Sequence, residues 1–293
     1  MSLKNFLLAS LTWALLFLGT GDCLAQKDAS ARSAKYNGEV LRAIASMPKG
    51  GAYAVYRKEL PENQRYRDLY QVVKDLNQAM DVAPDGSLSV NVTKAGSVSF
   101  CSSATYLVFG KAVQNLQKER VIESSRALSR EMGLIGGSKE VIKGKLDGVG
   151  IFGHWNADGP GTAVLFRKLG LGSNFSGYEK ARPGDFLKIF WNEKIGKGER
   201  GHSVVYLGTS ADGKSIQVWS SQARNEDGSS GYGTMWVEKS RIKRALFSRL
   251  EHPENLKKWL RLSPQQKRSV YLIRIRQTGS SPAEMKSVTG AVD

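Results

Sequence analysis

Gly96-Ser97-Val98-Ser99-Phe100-Cys101-Ser102-Ser103-Ala104-Thr105-Tyr106-Leu107-Val108-Phe109 is a short segment that runs into a cysteine and continues as an apolar helix. The small polar residues after the sulfur, Ser102 and Ser103, suit the first turn of a helix whose leading amides lack partners within the helix. Such a helix start favours negative charge, so a thiolate placed there is stabilised by the helix dipole. A buried structural cysteine is the competing reading of the same stretch, because free cysteine behaves as a small hydrophobe. The rest of the chain decides between the two.

The 293-residue chain is 41% hydrophobic and carries a formal net charge of +16. That length is enough to bury a substantial core in one large domain or two small ones. Lys4, the apolar run Phe6–Leu18 and Cys23-Leu24-Ala25 before Gln26 read as a signal peptide cut after Ala25. The apolar run would span ~20 Å as a helix against a hydrocarbon core of ~30 Å, so no stable membrane span is expected. A lipoprotein site at Cys23 is the rival, disfavoured because Asp22 stands where a small residue is wanted. Removing residues 1–25 takes away one basic residue, Lys4, and one acidic residue, Asp22, so the charge stays at +16. Cys23 also goes, which leaves Cys101 alone.

A lone cysteine in an exported protein forms no internal disulfide, and its thiol needs another explanation. Intermolecular pairing, burial and nucleophilic chemistry are the choices. No CxxC pair or HxxxH spacing occurs, so neither a metal nor another cofactor is expected. The basic residues are scattered and imply an anionic partner: cell-wall polymer, lipopolysaccharide or a membrane surface. Export argues against nucleic acid.

The polar residues 26–35 read as a leader. Helices are expected over Tyr36–Met47 and Arg65–Met80, and a strand over Leu88–Val92, all packed against the region around Cys101. After the Cys101 helix, helical pieces are expected at Val121–Met132 and Lys139–Leu146. The glycine-rich stretch Gly148–Gly161 then reads as a loop carrying His154, Trp155 and Asn156, either lining a substrate cleft or packing its tryptophan into the core. Thr162–Leu169 reads as a helix. Phe186–Trp191, Gly201–Gly208, Ser215–Gln222 and Gly231–Val237, joined by Gly- and Asp-containing turns, read as an antiparallel meander. Helices over Lys239–Leu250 and Pro253–Leu260, a last strand over Ser269–Ile275 and a disordered tail from Gln277 complete the expectation. The domains implied are a signal peptide (1–25), a mostly helical region (26–94), a hydrolase domain (95–276) and the tail (277–293).

Of the histidines, His252 lies in a charged stretch and His154 in the glycine-rich one. His202 follows a glycine at the opening of an apolar strand. A capping or core histidine is one reading of it. The other joins it to Cys101, since a thiol hydrolase needs an imidazole to help ionise the thiol and to protonate the leaving amine. A third residue would hold the ring. On the next strand Ile216, Val218, Ser220 and Gln222 share one face, which makes Gln222, through its side-chain oxygen, and Ser220 the candidates.

Ser99-Phe100-Cys101-Ser102, Arg182-Pro183-Gly184-Asp185-Phe186, Gly201-His202-Ser203-Val204-Val205-Tyr206-Leu207-Gly208 and Val218-Trp219-Ser220-Ser221-Gln222 stand in an order that resembles the papain-like cell-wall hydrolases. These are the NlpC-type peptidases and the cysteine, histidine-dependent amidohydrolase/peptidase (CHAP) family. The resemblance spans residues 95–222. It implies an α+β papain-like fold with helices packed on a small antiparallel sheet. It also implies Cys101 as nucleophile, His202 as base, an oxyanion hole that includes the Cys101 amide, and peptidoglycan peptide or amide bonds as substrate. The chain departs from the pattern in its long Cys101–Pro183 stretch and in lacking His, Asn, Glu or Asp at the third position. The expected protein is a secreted or periplasmic cysteine amidohydrolase. The alternatives are an inactive wall-binding protein on the same fold, or a thiol hydrolase of a lipid ester or a protein.

Overall fold

The computed structural model describes residues 34–293, so the expected signal peptide and most of the expected leader lie outside the described residues. Helix α1 covers 34–45, and strand β1 (Ala52–Tyr53) leads to α2 (Arg67–Ala79). The hairpin β2 (Met80–Val82) and β3 (Leu88–Val90) follows, then β4 (Val98–Ser99), which runs directly into α3 (Cys101–Lys118). The middle of the chain is helical: α4 (Arg126–Gly133), α5 (Ser138–Ile142), α6 (Gly150–Asn156) and α7 (Gly161–Leu169). Next come β5 (Gly172–Phe175), β6 (Phe186–Phe190), β7 (His202–Thr209), β8 (Ser215–Gln222), β9 (Gly231–Glu238) and β10 (Arg244–Leu250). A 3-10 helix (Pro253–Arg261), α8 (Val270–Thr278) and α9 (Pro282–Thr289) close the chain. The protein is α+β, and β5-β10-β6-β7-β8-β9 form one antiparallel sheet.

Helix α3 is buried along most of its length, with Ala104, Tyr106, Leu107, Val108, Phe109, Ala112, Val113 and Leu116 all fully buried. A helix whose apolar surface is this wide packs against partners on more than one side. It lies between the sheet, whose Phe186, Val205 and Trp219 face it, and a layer of α1, α2 and the β2–β3 hairpin that supplies Val40, Val73, Leu76 and Leu88. The N-terminal region thus shares one core with the Cys101 helix. The other face of the sheet carries Leu187, Ile189, Val204, Tyr206, Val218 and Phe247, which form a second core.

The Pro183-Gly184-Asp185 turn before β6 is an anchor. Asp185 is fully buried and takes two hydrogen bonds from Arg249, at 2.9 and 2.7 Å. It accepts further bonds from Asn37 of α1 and from the Arg182 amide. A buried carboxylate is tolerable only with such complete pairing.

Four expectations are corrected. The segment expected as a helix over Lys239–Leu250 is mostly β10, which pairs on both sides, with β5 and β6. Because Leu246 packs in one core and Phe247 in another, its sequence lacks the alternation of a half-buried strand. Ser269–Ile275, expected as a strand, opens α8 instead: the Ser269 hydroxyl caps the Leu272 amide, and Leu272 and Ile275 are buried at helical spacing. The expected loop Gly148–Gly161 contains α6, and its glycine content follows partly from close packing. A Cβ on Gly153 would lie 2.1 Å from the Leu146 carbonyl oxygen. Residues 277–293, expected to be disordered, hold α9 and end with Val292 bridged to Phe175 of β5. Among the described residues, no helix is long and apolar enough to cross a membrane.

Candidate functional site

Cys101 is the first residue of α3, after Phe100 in extended conformation. Ser103 accepts the Phe100 N–H at 3.1 Å and donates to the Phe100 carbonyl at 2.8 Å, so the helix start is tied down as the Cys-Ser-Ser sequence suggests. Ser102 turns outward from the cap and donates to Asn156 Oδ1 at 2.7 Å. The strand before the sulfur is held on both sides. β1 pairs with it in parallel, Tyr53 opposite Ser99, and the Ser99 and Ser221 hydroxyls are 2.7 Å apart.

His202 opens β7 beside Ile189 of β6 and hydrogen-bonds the thiol. The Trp191 ring stacks on it, centroids 6.2 Å apart and planes inclined by 28°. Burial pushes the Cys101 pKa up. The His202 hydrogen bond and imidazolium charge, the Lys188 ammonium and the Ser203 amide outweigh that and bring it down to about 6. Tyr53 of β1 also hydrogen-bonds the sulfur, and the thiolate's charge followed by burial drives its phenol well above the ordinary range. At neutral pH the group at the head of α3 is therefore a thiolate with donors around it.

The thiol opens on a cavity of about 320 Å³, large enough for part of a peptide. Its charged walls are Asp147, Asp158, Lys188, Arg200 and Arg276. Asp158 lies 3.7 Å from Arg200 and Asp147 lies 3.5 Å from Arg276. Burial and the charge of Asp158 raise the Asp147 carboxyl to about 7, against the pull of Arg276, Arg200 and Lys188.

Of the expected substrate-binding residues, only Asn156 lines this cavity. Trp155 is packed against Phe109 and Phe186 at 4.7 and 4.9 Å, and donates its indole N–H to Thr105. His154 is fully buried, with Nδ1 at 2.7 Å from the Gly150 carbonyl and its ring edge-on to Trp259. Burial is the main cause that lowers its pKa to about 4, so the ring is neutral and Nδ1–H is the donor to Gly150. Both side chains serve the core because α6 is a helix where a loop was expected.

Neither expected third residue hydrogen-bonds the His202 ring. Gln222 donates to Asn225 Oδ1 and to the Gly233 carbonyl, and Ser220 donates to the Ser203 carbonyl at 2.6 Å. Ser220 thus braces the backbone that follows His202. Sequence reasoning missed Tyr53, Lys188 and the charged walls. For Lys188 a signal existed: it is the lone charge in Phe186-Leu187-Lys188-Ile189-Phe190, every residue of which is buried. Tyr53 carried none, as its strand is two residues long. Among the described residues no group of three or more His, Cys, Asp or Glu side chains is placed to hold a metal ion. No protein-family model, curated protein or solved structure matches the chain.

Proposed function

We propose that the protein is an exported cysteine amidohydrolase or peptidase of papain-like architecture that cleaves amide or peptide bonds of peptidoglycan. The observation that carries this reading is the Cys101 thiol at the start of α3, hydrogen-bonded to His202, drawn down to about 6 and open to the 320 Å³ cavity. A structural thiol gains nothing from that environment. A nucleophile gains a thiolate at neutral pH without becoming too weak to attack.

In the proposed reaction the Cys101 sulfur adds to a carbonyl carbon of the bound peptide. Negative charge then develops on the carbonyl oxygen. The Cys101 amide at the helix start and the Tyr53 hydroxyl are the donors near the sulfur. His202 in its imidazolium form passes its proton to the departing amine, which leaves a thioester. Water, deprotonated by the now neutral imidazole, then releases the acid and restores the thiol–imidazole pair. The charged cavity walls suit a polar peptide better than a lipid ester. The net charge of +16 would hold the protein to an anionic wall.

The test is mass spectrometry of purified peptidoglycan incubated with the protein or with Cys101→Ala. Fragments from the parent only are expected, and their masses name the bond. Intact peptidoglycan in both samples, with both proteins sedimenting with it, would leave a binding protein and remove the hydrolase.

A further inference from the structure

Lys188 stands in the middle of β6 and is 6% exposed, although lysine ordinarily keeps its ammonium in water. In the sheet it lies opposite Ser203 of β7 and Leu246 of β10. Its stem runs alongside Gly201: a Cβ at that position would lie 2.6 Å from Lys188 Cε and 3.1 Å from the Ile189 carbonyl oxygen. Gly201, at φ 71°, therefore leaves the room through which Lys188 reaches the cavity that Cys101 also lines.

The ammonium there has one hydrogen bond among the described residues, to the neutral Ser203 hydroxyl at 3.3 Å. The neighbouring carboxylates are engaged elsewhere. Glu199 takes the amides of Trp191, Asn192 and Gly201, while Asp147 and Asp158 lie against Arg276 and Arg200. A buried ammonium without a carboxylate is costly, and its burial is understandable when another anion faces it. Of the anions around the cavity, the sulfur at the head of α3, which lines it together with Lys188, is the one held by no arginine or backbone amide cluster of its own and acts most strongly on the ammonium.

We propose that Lys188 is the fixed counter-ion of the Cys101 thiolate, supplying through charge the support that a third residue orienting His202 would otherwise give. The inference rests on Cys101 being the nucleophile and is independent of the substrate. The groups that face the sulfur are Tyr53 from β1, Lys188 from β6, and His202 with the Ser203 amide from β7. Those whose charge reaches Lys188 are Cys101, Asp158, Asp147 and Glu199. Burial lowers the lysine pKa and all four of these raise it, Cys101 most.

The experiment is the rate of Cys101 alkylation by iodoacetamide across pH 5–10, with the parent protein and with Lys188→Met, both checked for folding by circular dichroism. Methionine keeps the stem's volume and removes the charge. The parent is expected to show its inflection near 6. The variant's inflection should lie about one unit higher, which at pH 6 is a several-fold loss of alkylation rate. A folded Lys188→Met that titrates with the parent overturns the proposal and leaves the nucleophile standing. If the variant does not fold, the reciprocal measurement decides. In Cys101→Ala the Lys188 ammonium, followed by NMR of labelled lysine, should titrate lower than in the parent, and an unchanged value overturns the proposal. A parent thiol with the inflection of an ordinary cysteine removes both the counter-ion and the activated nucleophile. Low titration in the parent, high titration in the variant and intact peptidoglycan together keep the counter-ion and remove only the proposed substrate.

Discussion

Two acids in the cavity are displaced in opposite directions, and each makes stability depend on pH in its own window. Cys101 titrates lower in the folded protein than its ordinary 9.0, at about 6. Its contribution is present above pH 9 and is lost as pH falls through 6. Asp147 titrates higher, at about 7 against 3.8, so its contribution is present below pH 4 and is lost as pH rises through 7. Asp147→Asn should therefore raise the melting temperature at pH 8, by on the order of a few degrees, and leave it nearly unchanged at pH 4. Thermal unfolding of both proteins at the two pH values checks this, and an equal shift at both would contradict it. Cys101 and His202 were legible because each sits beside small residues at the expected start of an element. Asp147, Asp158 and Arg276 were not, because distant segments bring them together. Their charges looked like the rest of a basic, solvated surface.

At the scale of elements, the β6–β7 connection decides where His202 stands. Glu199, 5% exposed, spans that connection: one carboxylate oxygen accepts the Trp191 and Asn192 amides and the other accepts the Gly201 amide. Glu199 thus fixes both the tryptophan that covers the imidazole and the glycine that precedes it. Glu199→Ala should cost ~2–4 kcal/mol in urea unfolding, since hydrogen bonds to a charged acceptor contribute ~1.5–3 kcal/mol each and part of the loop regains water. It should also slow Cys101 alkylation at pH 7, because the imidazole loses its fixed position. Wild-type unfolding and alkylation in this variant would show that the connection holds itself. The strands on either side were readable. β8 falls on Ser215–Gln222 as its sequence suggests, and β6, β7 and β9 lie within a residue of their expected ends. Those segments are short, apolar and bounded by glycine or aspartate turns. β10 and α8 were misread for one shared reason, that tertiary packing overrode local pattern. The first is buried on both faces and the second has few buried positions to reveal its period.

At the scale of the molecule, the division at residue 94 does not correspond to a break in the core. Val40, Val72, Val73, Leu76 and Leu88 share a cluster with α3, and Tyr53 from the same region reaches the sulfur. One cooperative thermal transition is expected, with far-ultraviolet circular dichroism and tryptophan fluorescence melting together. Two separated transitions would show that residues 34–94 fold as their own unit. That these elements pack on the Cys101 region was readable from their amphipathic spacing. That they complete the surroundings of the thiol was not, because β1 is too short to leave a pattern.

The sheet's two outer strands, β5 and β9, are each touched by a remote part of the chain. Gly50 exchanges both backbone hydrogen bonds with Tyr232 on β9. Val292 bonds the Asn174 carbonyl and the Ser176 amide along β5. Unpaired outer strands are templates for association between molecules. Deleting residues 290–293 should therefore leave chemistry at Cys101 in place but create a self-associating protein, visible as concentration-dependent growth in light scattering. The same contact makes residues 290–293 the wrong place for an inserted purification tag, because a tag there pulls on the residues that keep one copy of the sheet from finding another.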